Sequence, residues 1–119
     1  MKSNNKVTGN KGEELAAGYL SKKGYKIIER NFRTRFGEID IVCWDGETLV
    51  FVEVKTKIGH DFGEPEEMVN KGKLAQVKRM GEVYLLDKCL DVACRVDVVA
   101  VVLESDGSVE RIEHYQAVY

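Results

Sequence analysis

Two apolar runs constrain the fold of this chain more than any other feature. They are Glu38–Trp44 (EIDIVCW) and Thr48–Lys57 (TLVFVEVKTK), separated by Asp45-Gly46. Asp-Gly between strand-forming runs predicts a β-hairpin. If the loop is even-numbered, even positions of the first strand share a face with odd positions of the second. Ile39, Ile41 and Cys43 then line up with Val50, Val52 and Val54 as a dry face. The other face gathers Glu38, Asp40, Leu49, Phe51, Glu53 and Lys55. With a four-residue loop over Asp45–Thr48, Asp40 lies opposite Glu53; a two-residue loop leaves them diagonal, and a bulge would break the alternation.

Opposed residues in a strand pair have Cβ atoms roughly 4.5–5.5 Å apart, where like charges repel. A buried charge needs a partner or a metal ion. Hard carboxylate oxygens on rigid strands suit Mg²⁺ or Mn²⁺. Lys55, one pleat beyond Glu53, faces the same place and could position a water or steady a developing charge. The alternative is that Glu53 and Lys55 form a solvent-exposed pair on an open sheet face.

The rest of the chain supplies the frame. Residues 10–23 read as a helix with Leu15, Ala16, Tyr19 and Leu20 on one stripe and Gly24 as its stop. Glu13 falls at the edge of that stripe and Glu14 on the solvent side. Tyr25–Glu29 reads as a strand, Asn31–Arg35 as a polar connection, and residues 58–67 as a loop with Gly59, Gly63 and Pro65. Residues 70–87 predict a second helix whose inward face holds Leu74, Val77, Gly81, Tyr84 and Leu85. Val96–Leu103 is almost continuously apolar, as a strand covered on both faces should be. Turn residues over 105–108 lead to an edge strand, Val109–Tyr115. The expected order is α-β-β-β-α-β-β, an α/β fold with one mixed sheet flanked by helices.

Polar residues 1–9 read as a flexible tail and 10–119 as a single domain, which 119 residues at 44% hydrophobic can support with one core. The longest apolar run, Val98–Leu103, is too short to span a bilayer, so no membrane partner is expected. Cys43, Cys89 and Cys94 include no C-x-x-C pair, and only His60 and His114 could add imidazoles, which argues against a zinc site. Reduced thiols, with Cys43 packed as a small hydrophobe, point to the cytoplasm. A net charge of −2 does not announce a nucleic-acid binder. Two local clusters (Arg30, Arg33, Arg35 and Lys71, Lys73, Lys78, Arg79) offer either a phosphate-facing surface or simply a solvated face. The low net charge suggests that a partner or a homodimer completes the basic surface.

G-E-I-D-I-V followed by E-V-K resembles the PD-(D/E)XK nuclease superfamily, with its restriction-endonuclease-like core. More closely, the chain resembles the YraN-like uncharacterised protein family. That likeness extends from Gly12-Glu13 and Tyr19-Leu20 through Lys23-Gly24-Tyr25, Asn31, Gly37–Asp40 and Phe51–Lys55 to Lys73 and Cys94–Ala100. The resemblance implies that Asp40 and Glu53 bind a divalent metal, Mg²⁺ or Mn²⁺, with the backbone carbonyl of Val54, and that Lys55 is the catalytic lysine. It places Glu13 near the metal, touching it through water or holding its surroundings. Lys73 falls near metal or phosphate, the alternative being a snorkelling surface lysine. Glu38 would orient Lys55 or form a rim salt bridge. Asp97 recurs in the family motif and reads as a strand-entry residue capping a loop; His60 receives no role. The superfamily's Pro before the metal-binding Asp is Ile39 here.

The implied activity is a metal-dependent endonuclease hydrolysing nucleic-acid phosphodiesters, with DNA as the expected substrate. The fold's use in archaeal Holliday-junction resolvases points to structure-specific cleavage in repair or recombination. The alternative is a nucleic-acid-binding or scaffolding module with little or no catalysis.

Overall fold

The computed structural model describes residues 2–59 and 71–119. Its elements follow the expected order: α1 (Lys2–Lys22), β1 (Lys26–Thr34), β2 (Gly37–Asp45), β3 (Thr48–Ile58), α2 (Lys71–Asp87), β4 (Cys94–Leu103) and β5 (Val109–Tyr115). The strands form one sheet in the order β1-β2-β3-β4-β5. The β3–β4 pair, which α2 connects, is parallel, and the other three are antiparallel. His60 and most of the expected 58–67 loop lie outside the described residues.

Each face of the sheet carries one helix. On one side Ala16 and Leu20 of α1 are buried against Ile41, Cys43, Val50, Val52, Val99 and Val101. On the other Leu74, Val77, Met80 and Tyr84 of α2 pack on Val42, Leu49, Phe51, Val96 and Val98. β4, flanked by β3 and β5, is therefore covered on both faces. No helix among the described residues is long and apolar enough to cross a membrane.

Three expectations change. The helix begins at Lys2 rather than at residue 10, so the stretch read as a tail continues α1. Its Ser, Asn, Thr and Gly residues have poor helix propensity, but extending a formed helix costs far less than nucleating one. Residues 31–34, read as a connection, belong to a nine-residue β1. An edge strand needs no continuous apolar pattern, because only pairing with β2 has to hold it.

Ile39, expected on the dry face with Ile41 and Cys43, packs in the α2 cluster instead, beside Phe32. The β2–β3 register runs from Asp45↔Thr48 to Ile41↔Val52 and ends there. Phe32 remains paired with Ile39 in the neighbouring ladder. Between Arg30 and Phe32, Asn31 takes a left-handed φ of 55°. That conformation interrupts strand alternation, so the paired Phe32 and Ile39 turn together to the α2 side. Asn tolerates it better than most residues.

Gly12 sets the approach of α1 to the sheet. A Cβ there would lie 1.8 Å from Thr56 Oγ1 and 2.9 Å from Thr56 Cβ, too close for a χ1 rotation to relieve. Gly12→Ala is expected to lift this part of α1 and cost about 1–3 kcal/mol, as overpacking does. Chemical denaturation would measure it, and a loss below about 0.5 kcal/mol would show that the helix is free to move.

Candidate metal centre

The end of the β2–β3 ladder creates the site. Past Ile41 the strands no longer bond through their backbones, and Asp40 takes over: its Oδ2 accepts the Val54 N–H at 2.8 Å. In an extended strand the N–H and C=O of one residue point to the same edge. The Val54 carbonyl therefore looks toward Asp40 as well.

Glu53 precedes Val54 and is buried, at 7% relative exposure. Its Oε1 has no hydrogen-bond partner, and its Oε2 lies 4.0 Å from Lys73 Nζ on α2. Burial pushes its carboxyl up to about 7, and the Asp40 charge adds to that; Lys73 and Lys55 pull the other way. Burial also raises Asp40, reinforced by Glu38, against the opposing hydrogen bond from Val54.

Glu13 reaches the same place from α1, where Gly12 holds the helix close. Its side chain is 18% exposed, whereas that of Glu14 is 71% exposed and pairs with Arg30. Carboxylate oxygens of Glu13, Glu38 and Asp40 all lie within 4.8 Å of one another. Burial, then Asp40 and Glu38, raise Glu13 above the ordinary carboxylate range. Asn31 bridges two of these acids: oriented to satisfy both ends of its amide, it donates to Glu38 Oε1 at 2.8 Å and Glu13 Oε1 at 3.0 Å. Glu38 also pairs with Arg33 at 3.4 Å, the rim salt bridge that was the alternative for it.

Asp40, Glu53, Glu13, Glu38 and Lys73 thus come together from β2, β3, α1 and α2, and the charge of Lys55 acts on Glu53. Asn31 is the member to which the sequence reading gave no role; its one signal was its place among the residues that carry the family resemblance. The donors are hard oxygens, mutually repelling, with one buried oxygen unpartnered. That chemistry fits Mg²⁺ or Mn²⁺.

A profile of the uncharacterised protein family UPF0102 matches residues 12–101, most of the chain and all the carboxylates just described. The chain belongs to UPF0102. A UPF0102 protein of Desulforamulus reducens is 43% identical over 117 residues, covering 96% of each chain. One from Arthrobacter sp. strain FB24 is 47% identical over 113 residues, covering 94% of this chain and 95% of its own. Another, from Syntrophomonas wolfei, is 54% identical over 81 residues, covering 68% and 70%.

Asp97 of this UPF0102 chain has a larger structural role than capping a loop. Fully buried, it accepts hydrogen bonds from Arg95 Nε at 3.0 Å, His114 Nε2 at 2.7 Å and Ala117 N at 2.9 Å. Arg95 also donates to Tyr25 Oη and Asp45 Oδ2, both at 2.9 Å. Burial alone would raise Asp97, but the bonds from His114, Arg95 and Ala117 outweigh it and hold the carboxyl below its usual range. All three cysteines are free thiols. Burial pushes Cys43 up to about 12, which leaves it an inert packing group. Cys89 takes the left-handed position that closes α2, with φ 55°.

Proposed function

We propose that this UPF0102 member is a metal-dependent phosphodiesterase acting on nucleic acid, most specifically an endonuclease cutting branched or otherwise non-duplex DNA. The observation that carries this reading is the buried, unpartnered Oε1 of Glu53 beside three converging carboxylates and two lysines. A binding module gains nothing from holding like charges together, whereas a divalent cation would turn that repulsion into ligation.

Asp40, Glu53 and the Val54 carbonyl would hold the ion, with Glu13 reaching it through water. When bound, such an ion supplies Lewis acidity and a water of lowered pKa. Lys55, whose charge already acts on Glu53, would offset the charge developing on a phosphate at the site. Lys73 would neutralise an adjacent phosphate, and Asn31 would keep Glu13 and Glu38 oriented. Free thiols fit a reducing compartment such as the cytoplasm.

The test is incubation of the full chain with branched, duplex and single-stranded DNA and RNA in Mg²⁺ or Mn²⁺. Cleavage is expected for wild type and absent from Lys55→Ala. Binding without cleavage under every condition would replace the enzyme by the non-catalytic module.

A further inference from the structure

The hairpin tip between β1 and β2 presents an unusual combination beside the metal centre. Phe36 is 60% exposed, a large aromatic left in solvent. Its backbone is held against α2 and its ring lies beside a guanidinium. Gln76 of α2 donates a hydrogen bond to the Phe36 carbonyl. The Arg35 guanidinium sits 5.0 Å from the ring centroid. Gly37 follows with φ 147°, packed so closely on α2 that a Cβ would lie 2.7 Å from Gln76 Nε2 and 3.0 Å from Met80 Sδ. A large aromatic left in water on an anchored backbone is an arrangement suited to binding rather than to folding.

Two hollows meet at Gln76. One, of about 340 Å³, is lined by Phe36, Gln76, Arg79, Met80 and Val83, an aromatic and apolar wall with one guanidinium. The other, of about 550 Å³, has Arg33, Arg35, Lys73 and Glu38 among its walls and so runs to the acidic cluster. The two basic stretches that are separate in sequence thus face each other across the hairpin and α2. A shallow basic surface that runs from Glu38 to an aromatic hollow matches the two halves of a nucleotide, phosphate and base. Phe36 precedes Glu38 by two residues, at most roughly 7 Å of extended chain.

We infer that the hollow under Phe36 receives one unpaired base next to the phosphate held at the metal centre. The substrate class is therefore nucleic acid with a single-stranded nucleotide there: an overhang, a flap or a free strand. This inference rests on the phosphodiesterase reading for the location of the reacting phosphate. The specificity follows from geometry, because a base inside an intact duplex is stacked on its neighbours and cannot enter a side hollow without being extruded. Stacking on an aromatic ring is tolerant of sequence, so the preference is for unpaired structure and not for a base.

The experiment uses the full chain with Ca²⁺ in place of Mg²⁺ or Mn²⁺, so that the phosphate is held while binding is read apart from cleavage. A DNA duplex carrying 2-aminopurine in a short overhang is compared with the blunt duplex by fluorescence and anisotropy. Wild type is expected to quench the overhang base and to prefer that substrate roughly tenfold, the scale of one aromatic stack. Phe36→Ala should bring overhang binding down to the blunt level, and Phe36→Trp should restore it. Because Phe36 lies outside the core, both variants should keep the wild-type melting curve. Equal binding of the two duplexes by wild type, or undiminished overhang binding by Phe36→Ala, overturns the inference. So does a concentration-dependent dimer that Phe36→Ala dissociates while no quenching occurs, which would assign the hollow to a second copy. The two readings fail separately: cleavage indifferent to Phe36 ends only this one, and Phe36-dependent quenching without cleavage in any metal ends only the phosphodiesterase.

Discussion

Asp97→Ala is expected to lose about 3–5 kcal/mol of folding stability, the scale seen when one partner of a buried ion pair is removed. The carboxylate has no exposure and satisfies Arg95, His114 and the Ala117 N–H together. Truncation leaves His114, itself only 1% exposed, without its Nε2 partner. It also releases the backbone beyond β5, where Val118 N still bonds to Val96 O at 2.8 Å but Ala117 would have nothing to donate to. Urea denaturation measures the loss, and hydrogen exchange should show Ala117 unprotected before global unfolding. The pH dependence has a definite sign. A carboxyl whose folded pKa is lowered contributes stability that is present above its unfolded value of 3.8 and disappears as pH falls through the folded value. The penalty for Asp97→Ala should therefore be full at neutral pH and shrink in strong acid. A loss under about 1 kcal/mol at pH 7 would mean that Arg95 is held well enough by its other partner, Asp45, and that His114 Nε2 reaches another acceptor or water.

Why this network stayed hidden in the sequence while the carboxylate cluster did not is a matter of range. Asp40 and Glu53 lie on adjacent strands joined by a tight turn, so period-two alternation sufficed to bring them together. The observed register, Asp45↔Thr48 through Ile41↔Val52, stops one pair short of Asp40 and Glu53, whose side chains still interact just beyond its end. Glu13 was legible for a similar reason, since the stripe of Ala16 and Leu20 orients the whole helix. Asp97, His114 and Tyr25 come from distant parts of the chain, and no periodicity relates them. Asp97 looked like a polar residue at the entrance of an apolar strand because only Arg95 lies near it in sequence, and nothing local revealed the His114 ring or the Ala117 N–H.

Ile39 marks the opposite limit. Its place in the alternating pattern was correct for an unbroken strand, but alternation breaks where β2 passes the left-handed Asn31, and Ile39 lies on the other face. Backbone reversals of this kind leave hydropathy untouched. The same reversal is what brings Asn31 to Glu13 and Glu38, so the local departure from strand regularity and the gathering of the acids have one structural origin.

At the carboxylate pair, pH, metal and stability are coupled. In the metal-free chain Glu53 has its pKa raised from 4.5 to about 7 by burial first and by Asp40 second. For a raised carboxyl the folded state binds its proton more tightly than the unfolded state does. Stability from this group is thus complete below about pH 4.5 and falls as pH rises, until Glu53 is ionised in both states above about 7. At 1.36 kcal/mol per pH interval of one, the fall is about 3 kcal/mol. It should appear as the difference between wild type and Glu53→Gln, which removes the titration while leaving other groups in place. Divalent metal must reverse the slope, because it binds the folded state only and needs ionised ligands. Mn²⁺ at a hundredfold excess over its Kd would add about 2.7 kcal/mol at pH 8 and little at pH 5. Asp40→Asn removes a ligand and a repulsion at once, while its amide oxygen can still accept the Val54 N–H. It should match or exceed wild type without metal at pH 8 and gain almost nothing from Mn²⁺. Lys55→Ala should keep the full metal response. If Asp40→Asn and wild type are stabilised equally by Mn²⁺ at fixed ionic strength, the ion binds elsewhere, and the crowded carboxylates need another explanation.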